Sequence, residues 1–145
     1  MNPKKRQTED LLVEELGDET ILYDLDTDQG HLLNQVAALV FDHSDGSKSV
    51  AELAAIVHRE TGLPADERIV HLALAELREA RLVKVESPPP DLSRREVIRQ
   101  LGLGAQAALI LGFVRSVAAP PPAYAASTGA TTTEAPPKGS TATPL

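Results

Sequence analysis

The side chains in this sequence that could do acid–base or metal chemistry are histidines and a run of aspartates, but their spacing does not assemble a site. The histidines are His31, His43, His58 and His71. No two share a predicted helix at ligand spacing, and there is no cysteine to join them. The segment DLDTDQG at 24–30 has Gln29 where a calcium loop needs glycine, and Gln35 where it needs glutamate. We expect no metal site and interpret the segment as a polar turn.

Signatures of catalysis are also missing from the sequence. The carboxylates are many but scattered, and no nucleophile elbow, phosphate loop or dinucleotide fingerprint occurs. The lack of cysteine excludes thiol nucleophiles and disulfides. We therefore predict that the protein is not an enzyme and holds no cofactor.

Charge and proline divide the chain into unlike parts. Residues 1–92 carry 9 Lys+Arg against 19 Asp+Glu, whereas residues 93–145 carry 5 against 2. Nine of the eleven prolines lie at or after Pro88. The predicted organisation is a front domain at 10–86, a Pro-rich linker at 87–92, an apolar segment at 93–119 and a disordered low-complexity tail at 120–145. The acidic front domain disfavours nucleic acid as a partner, since phosphate contacts supply most of that affinity.

The first part of the front domain has the pattern of strands. LLVEELGDETILYDLDTDQGHLL at 11–33 contains three extended runs, separated by turn formers at Gly17-Asp18 and in DTDQG. Ile21 and Tyr23 fall on one side of the middle run because side chains alternate along a strand. We expect a three-stranded antiparallel meander with a short last strand.

Three helices should follow the strands. Asn34 is a good N-cap for QVAALVFDHS, and SVAE at 49–52 is a capping box for a second helix. A third helix is predicted from about Asp66 to Ala80, and RLVKVE after it fits a short strand or the end of that helix. Strands followed by helices predict an α+β fold.

The sequence HLLNQVAALVFDHSDGSKSVAELAAIV resembles the central signature of the PqqD family (coenzyme PQQ synthesis protein D). The shared features are an apolar pair, an asparagine, a helix of small residues, Asp-Gly, and a Ser-capped helix with ELA. The resemblance extends over about residues 10–86. It implies a small winged helix-turn-helix-like domain that serves as a recognition element for ribosomally made precursor peptides.

The resemblance also implies a binding mode and a site. In the family the leader of the precursor adds as a strand to the edge of the third strand, lies against the third helix, and is presented to a modifying enzyme. In PQQ biosynthesis that enzyme is a radical S-adenosylmethionine protein; lasso-peptide and other maturation pathways stay open here. The implied peptide-binding residues are Gly30, His31, Leu32, Leu33, Arg68, His71, Leu72, Ala75, Glu76 and Glu79. The alternative for each helix position is ordinary surface.

A winged helix is also a shape that reads DNA, which gives a competing hypothesis. The third helix, DERIVHLALAELREA, sets Arg68 and Arg78 against four carboxylates. A helix of net negative charge is poorly suited to a groove lined by phosphates, so this sequence favours peptide binding.

The segment SRREVIR at 93–99 is similar to a twin-arginine export signal, with Arg94 and Arg95 as the targeting residues. Fourteen uncharged residues follow at Leu101–Val114, and AYA at 123–125 resembles a cleavage site. Three interpretations stay open for one apolar helix within 93–119. It anchors a cytoplasmic front domain to the membrane, it engages the twin-arginine export machinery, or it is a buried or amphipathic helix with a coincidental arginine pair.

Overall fold

The computed structural model describes residues 2–5 and 8–118. Its α+β architecture agrees with the fold class predicted from the sequence. The strands are β1 (Lys4–Lys5), β2 (Leu11–Leu16), β3 (Glu19–Asp24), β4 (Gln29–Leu33), β5 (Val83–Lys84) and β6 (Val114–Ala118). The helices are α1 (Gln35–His43), α2 (Val50–Thr61), α3 (Glu67–Glu79), α4 (Arg94–Leu101) and α5 (Ala108–Leu111), with short 3-10 helices at Thr8–Asp10 and Gly104–Ala107.

The main sheet has four antiparallel strands in the order β2-β3-β4-β6. The first three form the predicted meander, joined by a turn at Gly17 and by the aspartate-rich turn before Gln29. The fourth strand, β6, comes from the far end of the described chain and pairs with β4. Strand β1 pairs with β5 in a separate two-stranded sheet, so RLVKVE contains a strand, one of the two predicted outcomes.

One face of the main sheet packs on the helices, and alternation along β3 decides which residues it buries. Leu22 is fully buried, together with Thr20 and Asp24, while Ile21 and Tyr23 lie half-buried on the opposite face. The predicted shared side of Ile21 and Tyr23 is therefore the outer face of the sheet.

Side-chain caps begin the three helices of the front domain. The Asn34 side chain accepts from the Ala37 amide, and Asp66 accepts from the Arg68 amide. Ser49 and Glu52 form the predicted capping box of α2. Helix α2 ends at Gly62, whose φ of 80° lies in the left-handed region that glycine adopts without strain.

The prediction of a single apolar helix within 93–119 is wrong. The segment forms α4, a 3-10 turn, α5 and β6, and α4 ends at Gly102 with φ 60°. Gly112 follows α5 in an extended conformation, with φ −153°. Glycine has low helix propensity, so these positions divide the apolar run into short elements.

Within the described residues, no helix combines the length and the apolar character that a membrane span requires. The predicted disordered tail at 120–145 and its AYA motif lie outside the described residues, as does Ala119 at the end of the apolar segment.

Candidate peptide-binding site

The edge of β4, which the resemblance assigns to a bound leader, carries a strand of the same chain. Strand β6 pairs antiparallel with β4 along its whole length, in five residue pairs from Gln29–Ala118 to Leu33–Val114. All four predicted edge residues therefore have a partner: Gly30 with Val117, His31 with Ser116, Leu32 with Arg115, and Leu33 with Val114. The β4 edge thus accepts an extended segment through main-chain pairing.

Two of the four edge residues face the interior of the molecule. Leu33 is fully buried, and His31 is 1% exposed. The Nδ1 atom of His31 lies 2.7 Å from the hydroxyl of Ser116 on β6. This hydrogen bond adds a side-chain contact to the main-chain pairing of the two strands.

All six predicted groove residues lie on α3, but their surroundings differ. Leu72 belongs to the buried core, His71, Ala75 and Arg68 are half-buried, and Glu79 is exposed. The Arg68 guanidinium pairs with Asp66 and also donates to the Gln100 side chain on α4. Helix α3 thus contributes both to the core and to a surface that α4 covers in part.

Glu76 is the predicted groove residue that makes the most direct contacts with the 93–118 segment. Its carboxylate forms an ion pair with Arg94 and accepts from the main-chain amide of Val114 at 3.3 Å. Arg94 also donates to the carbonyl of Leu111 at 2.9 Å, and its guanidinium lies 5.5 Å from the centre of the Phe113 ring. Charge-assisted hydrogen bonds are stronger than neutral ones, so this half-buried pair fixes α4 and β6 to α3.

Asn34 makes a second set of contacts that sequence reasoning missed. Its side-chain nitrogen donates to the carbonyl of Leu109 at 2.8 Å, and its main-chain amide donates to the carbonyl of Phe113 at 3.0 Å. The capping pattern predicted only that the side-chain oxygen of Asn34 would cap α1. The second role depends on a segment 75 residues further along the chain, so no local pattern could have indicated it.

Apolar side chains of the 93–118 segment are buried in the hydrophobic core. Ile110 and Phe113 are fully buried, Val97 is 2% exposed and Leu103 is 6% exposed. These four residues belong to the same hydrophobic cluster as Leu33 of β4 and the apolar faces of α1, α2 and α3. The segment is thus part of the core of the molecule.

The pKa values of His71 on α3 and of Asp66 at the N-cap of α3 are shifted. Burial lowers the pKa of the His71 imidazole, and the carboxylate of Glu67 acts in the opposite direction. Hydrogen bonds from the Arg68 side chain hold the pKa of Asp66 below its ordinary value, against the effect of burial. The neutral form of His71 and the ionised form of Asp66 are therefore the forms that the fold favours.

An opening remains between the sheet and α3 beside β6. A cavity of about 220 Å³ lies there, lined by Gln29, Glu76, Glu79, Ala80, Val114 and Ser116. Two predicted groove residues line this opening: Glu76, whose carboxylate is paired with Arg94, and Glu79, which is exposed. A cationic or hydrogen-bond-donating side chain is the complementary group for the carboxylate of Glu79.

The two arginines of the twin-arginine motif have different environments. Arg94 is half-buried and paired with Glu76, whereas Arg95 is exposed on α4. Nothing in the contacts of the described residues supports an export or anchoring role, which stays a prediction. Among the described residues, no cluster of His, Cys, Asp or Glu could hold a metal ion.

Comparison with known families supports the resemblance found in the sequence. Residues 19–83 match the family model described as PqqD, coenzyme PQQ synthesis protein D. The matched residues run from the start of β3 to the start of β5, so they include the β4 edge and α3 but not the 93–118 segment. No curated protein and no solved structure matches the chain.

Proposed function

From the PqqD match over residues 19–83, we propose that the front domain is a non-catalytic module that binds the leader of a ribosomally made precursor peptide. The leader adds as a strand to β4 and lies along α3, and the module presents the attached peptide to a modifying enzyme. The family suggests a peptide-binding accessory role of the kind found in PQQ biosynthesis. The modifying enzyme is the expected partner, and a radical S-adenosylmethionine enzyme is one candidate class.

The observation that carries this proposal is the pairing of β4 with β6. A segment outside the matched family domain adds to β4 as an antiparallel strand over five residue pairs. Main-chain pairing gives affinity without regard to sequence, while side-chain contacts such as that of His31 with Ser116 give selectivity. The edge and groove therefore have the two properties that leader recognition requires.

DNA binding receives no comparable support. Helix α3 contacts α4, α5 and β6, so a large part of its surface is already packed within the protein. Arg68, one of the two arginines available on α3, is paired with Asp66. A helix covered in this way cannot enter a DNA groove without displacing the segment that covers it.

Photo-crosslinking in the source cell tests the proposal. A photo-crosslinking amino acid is placed at position 79, an exposed position that lines the opening beside β6, in the full-length protein. The matched control carries it at position 60, an exposed position near the end of α2. Crosslinked species are isolated through an affinity tag and identified by mass spectrometry.

We expect position 79, and not position 60, to crosslink to a peptide-modifying enzyme or to a ribosomally made peptide from another chain. Crosslinks from both positions to the same proteins would indicate nonspecific proximity and contradict the proposal. Crosslinks from position 79 only to nucleic acid or to components of the export machinery would also contradict it.

A further inference from the structure

The 93–118 segment makes, at the site assigned to the leader, the kinds of contact that an added peptide makes. It contributes an extended strand to the β4 edge over five residue pairs. An ion pair between Arg94 and Glu76 joins it to the groove wall. Its buried apolar side chains are Val97, Leu103, Ile110 and Phe113. Extended pairing combined with anchoring side chains is the pattern by which peptides bind to sheet edges.

The connection before this segment separates it from the front domain. Residues 85–93 form neither helix nor strand and contain three consecutive prolines at 88–90. The segment itself consists of short elements, with eight residues in α4, four in α5 and five in β6. Helices shorter than about 12 residues are marginal in water when isolated, and a strand needs a partner. The segment therefore depends on the groove for its structure, as a tethered ligand depends on its site.

A leader from another chain has to replace this segment in order to pair with β4. A tether keeps a segment near its site at an effective concentration on the order of millimolar, so a free peptide competes only if it binds tightly or if the segment is loosened. The contacts of Arg94 are the polar contacts that hold the segment on α3, because its guanidinium pairs with Glu76 and also donates to the carbonyl of Leu111. Loosening of this pair should open the site.

The contacts of the docked segment also show what a replacing peptide has to supply. Its removal leaves the carboxylate of Glu76 without Arg94 and uncovers the apolar surface that Ile110 and Phe113 contact. Asn34 donates only to main-chain carbonyls of the segment, which every peptide has. The selective requirements are therefore a basic side chain and large apolar side chains.

We infer that residues 93–118 are an intramolecular competitor of the leader, which keeps the β4 edge closed until a peptide with a basic side chain and large apolar side chains replaces them. This inference rests on the proposed function of the front domain and adds the regulation of its site and the class of peptide that opens it. The pair of Glu76 and Arg94 has two roles in it: it closes the site, and it selects for a basic side chain.

Binding of the segment's own sequence as a separate peptide tests the inference. The probe is a fluorescein-labelled synthetic peptide of residues 93–118, and a second probe carries Arg94→Glu. Each is titrated with the full-length protein as wild type, Arg94→Glu, Glu76→Arg and the double variant, and fluorescence anisotropy measures the dissociation constant. The matched control is Arg95→Glu, the same charge change at the exposed neighbouring position.

We expect the Arg94→Glu protein to bind the unmodified probe at least about tenfold more tightly than wild type or Arg95→Glu does, because its own segment has lost a charge-assisted contact that the probe still makes. The Glu76→Arg protein should instead prefer the probe with Arg94→Glu. The double variant restores opposite charges within the chain and should exclude both probes as wild type does. This reversal places the probe beside residue 76, and a variant that merely misfolds would not show it.

The apolar requirement is tested on the probe alone, where folding of the protein is not affected. Phe113→Ala in the probe should weaken its binding to the Arg94→Glu protein by about tenfold or more, since Phe113 is fully buried in the docked segment. Leu111→Ala is the matched change, because Leu111 is 59% exposed there and its truncation should have little effect. Equal losses from both changes would contradict the apolar requirement.

Two outcomes would overturn the inference: equal binding of the unmodified probe by wild type and Arg94→Glu, or no binding by any variant. Crosslinking from position 79 in the source cell then shows whether the proposed function fails as well. Crosslinks to a ribosomally made peptide would leave the proposed function standing with an edge that is not regulated in this way. Crosslinks to neither a peptide nor a modifying enzyme would end both.

Discussion

At the level of single residues, Asn34 joins two parts of the molecule that are distant in sequence. Its side-chain oxygen caps α1 through the Ala37 amide, and its side-chain nitrogen donates to the carbonyl of Leu109. The two functional groups of one amide thus connect the start of α1 to α5. An aspartate at this position would keep the first contact and lose the second.

Asn34→Asp is therefore expected to destabilise the docked segment while preserving the cap of α1. The new carboxylate oxygen faces the Leu109 carbonyl without a hydrogen, which costs about 1–3 kcal/mol in the free energy of unfolding. Urea denaturation measures this, and Asn34→Ala, which loses both contacts, serves as the comparison. A stability of Asn34→Asp equal to wild type would show that the bond to Leu109 contributes nothing.

The lowered pKa of His71 predicts that the free energy of unfolding depends on pH. Burial lowers the pKa of His71 in the folded state, so the unfolded chain, with a histidine pKa of about 6.5, binds the proton more tightly. The stabilisation from neutral His71 is fully present above about pH 6.5 and is lost as the pH falls through the folded pKa. We expect His71→Gln to have a flatter dependence of unfolding free energy on pH below neutrality. Equal slopes in both proteins would contradict this.

At the level of elements, the strands and helices that could be predicted from the sequence are those that local residue patterns determine. Alternation and turn residues indicated β2, β3 and β4, and the caps at Asn34 and Ser49 indicated where α1 and α2 begin. Helix α3 has the predicted extent to within one residue at each end. The match of residues 19–83 to PqqD agrees with the family that the signature at 31–57 resembles.

The elements that the sequence did not predict are those that depend on contacts between distant residues. Strand β6 has few intrinsic strand signals and forms because β4 offers an open edge. The uncharged run at Leu101–Val114 is compatible with an export signal, a membrane anchor or a buried segment, because all three consist of apolar side chains. The buried segment is the alternative that agrees with the position of Ile110 and Phe113 in the core, and the sequence alone does not show that position.

The glycines that divide the 93–118 segment give a prediction at this scale. Gly102 has φ 60°, a region that other residues adopt at a cost of about 1 kcal/mol, and nothing within 4 Å would contact an added Cβ. Gly102→Ala should therefore lower the free energy of unfolding by about that amount through backbone strain alone. Thermal denaturation measures the change.

Gly112 supplies the matched control for this substitution. Its backbone is extended, with φ −153°, and an added Cβ would again meet nothing within 4 Å. Gly112→Ala should be neutral or slightly stabilising, because alanine reduces the conformational freedom of the unfolded chain. Equal destabilisation by both substitutions would show that the strain at Gly102 is not the cause.

At the scale of the whole molecule, the matched family domain and the added segment share one hydrophobic core. Leu33 of β4, Val36 of α1 and Leu74 of α3 belong to the same buried cluster as Ile110 and Phe113. A domain of this size buries a limited apolar area, so every large buried side chain is a substantial part of its stability. The front domain and the 93–118 segment should therefore unfold together in one cooperative transition.

Phe113→Ala tests this cooperation between the two parts. Phe113 is fully buried, so its truncation should lower the free energy of unfolding of the whole protein by about 3–5 kcal/mol. Leu111→Ala is the matched control, because Leu111 is apolar, lies two residues away and is 59% exposed, so its truncation should change stability by less than about 0.5 kcal/mol. Urea denaturation followed by circular dichroism reports mainly the helices of the front domain. If Phe113→Ala leaves that transition unchanged, the segment is not part of the core, and the β4 edge is open to a leader from another chain.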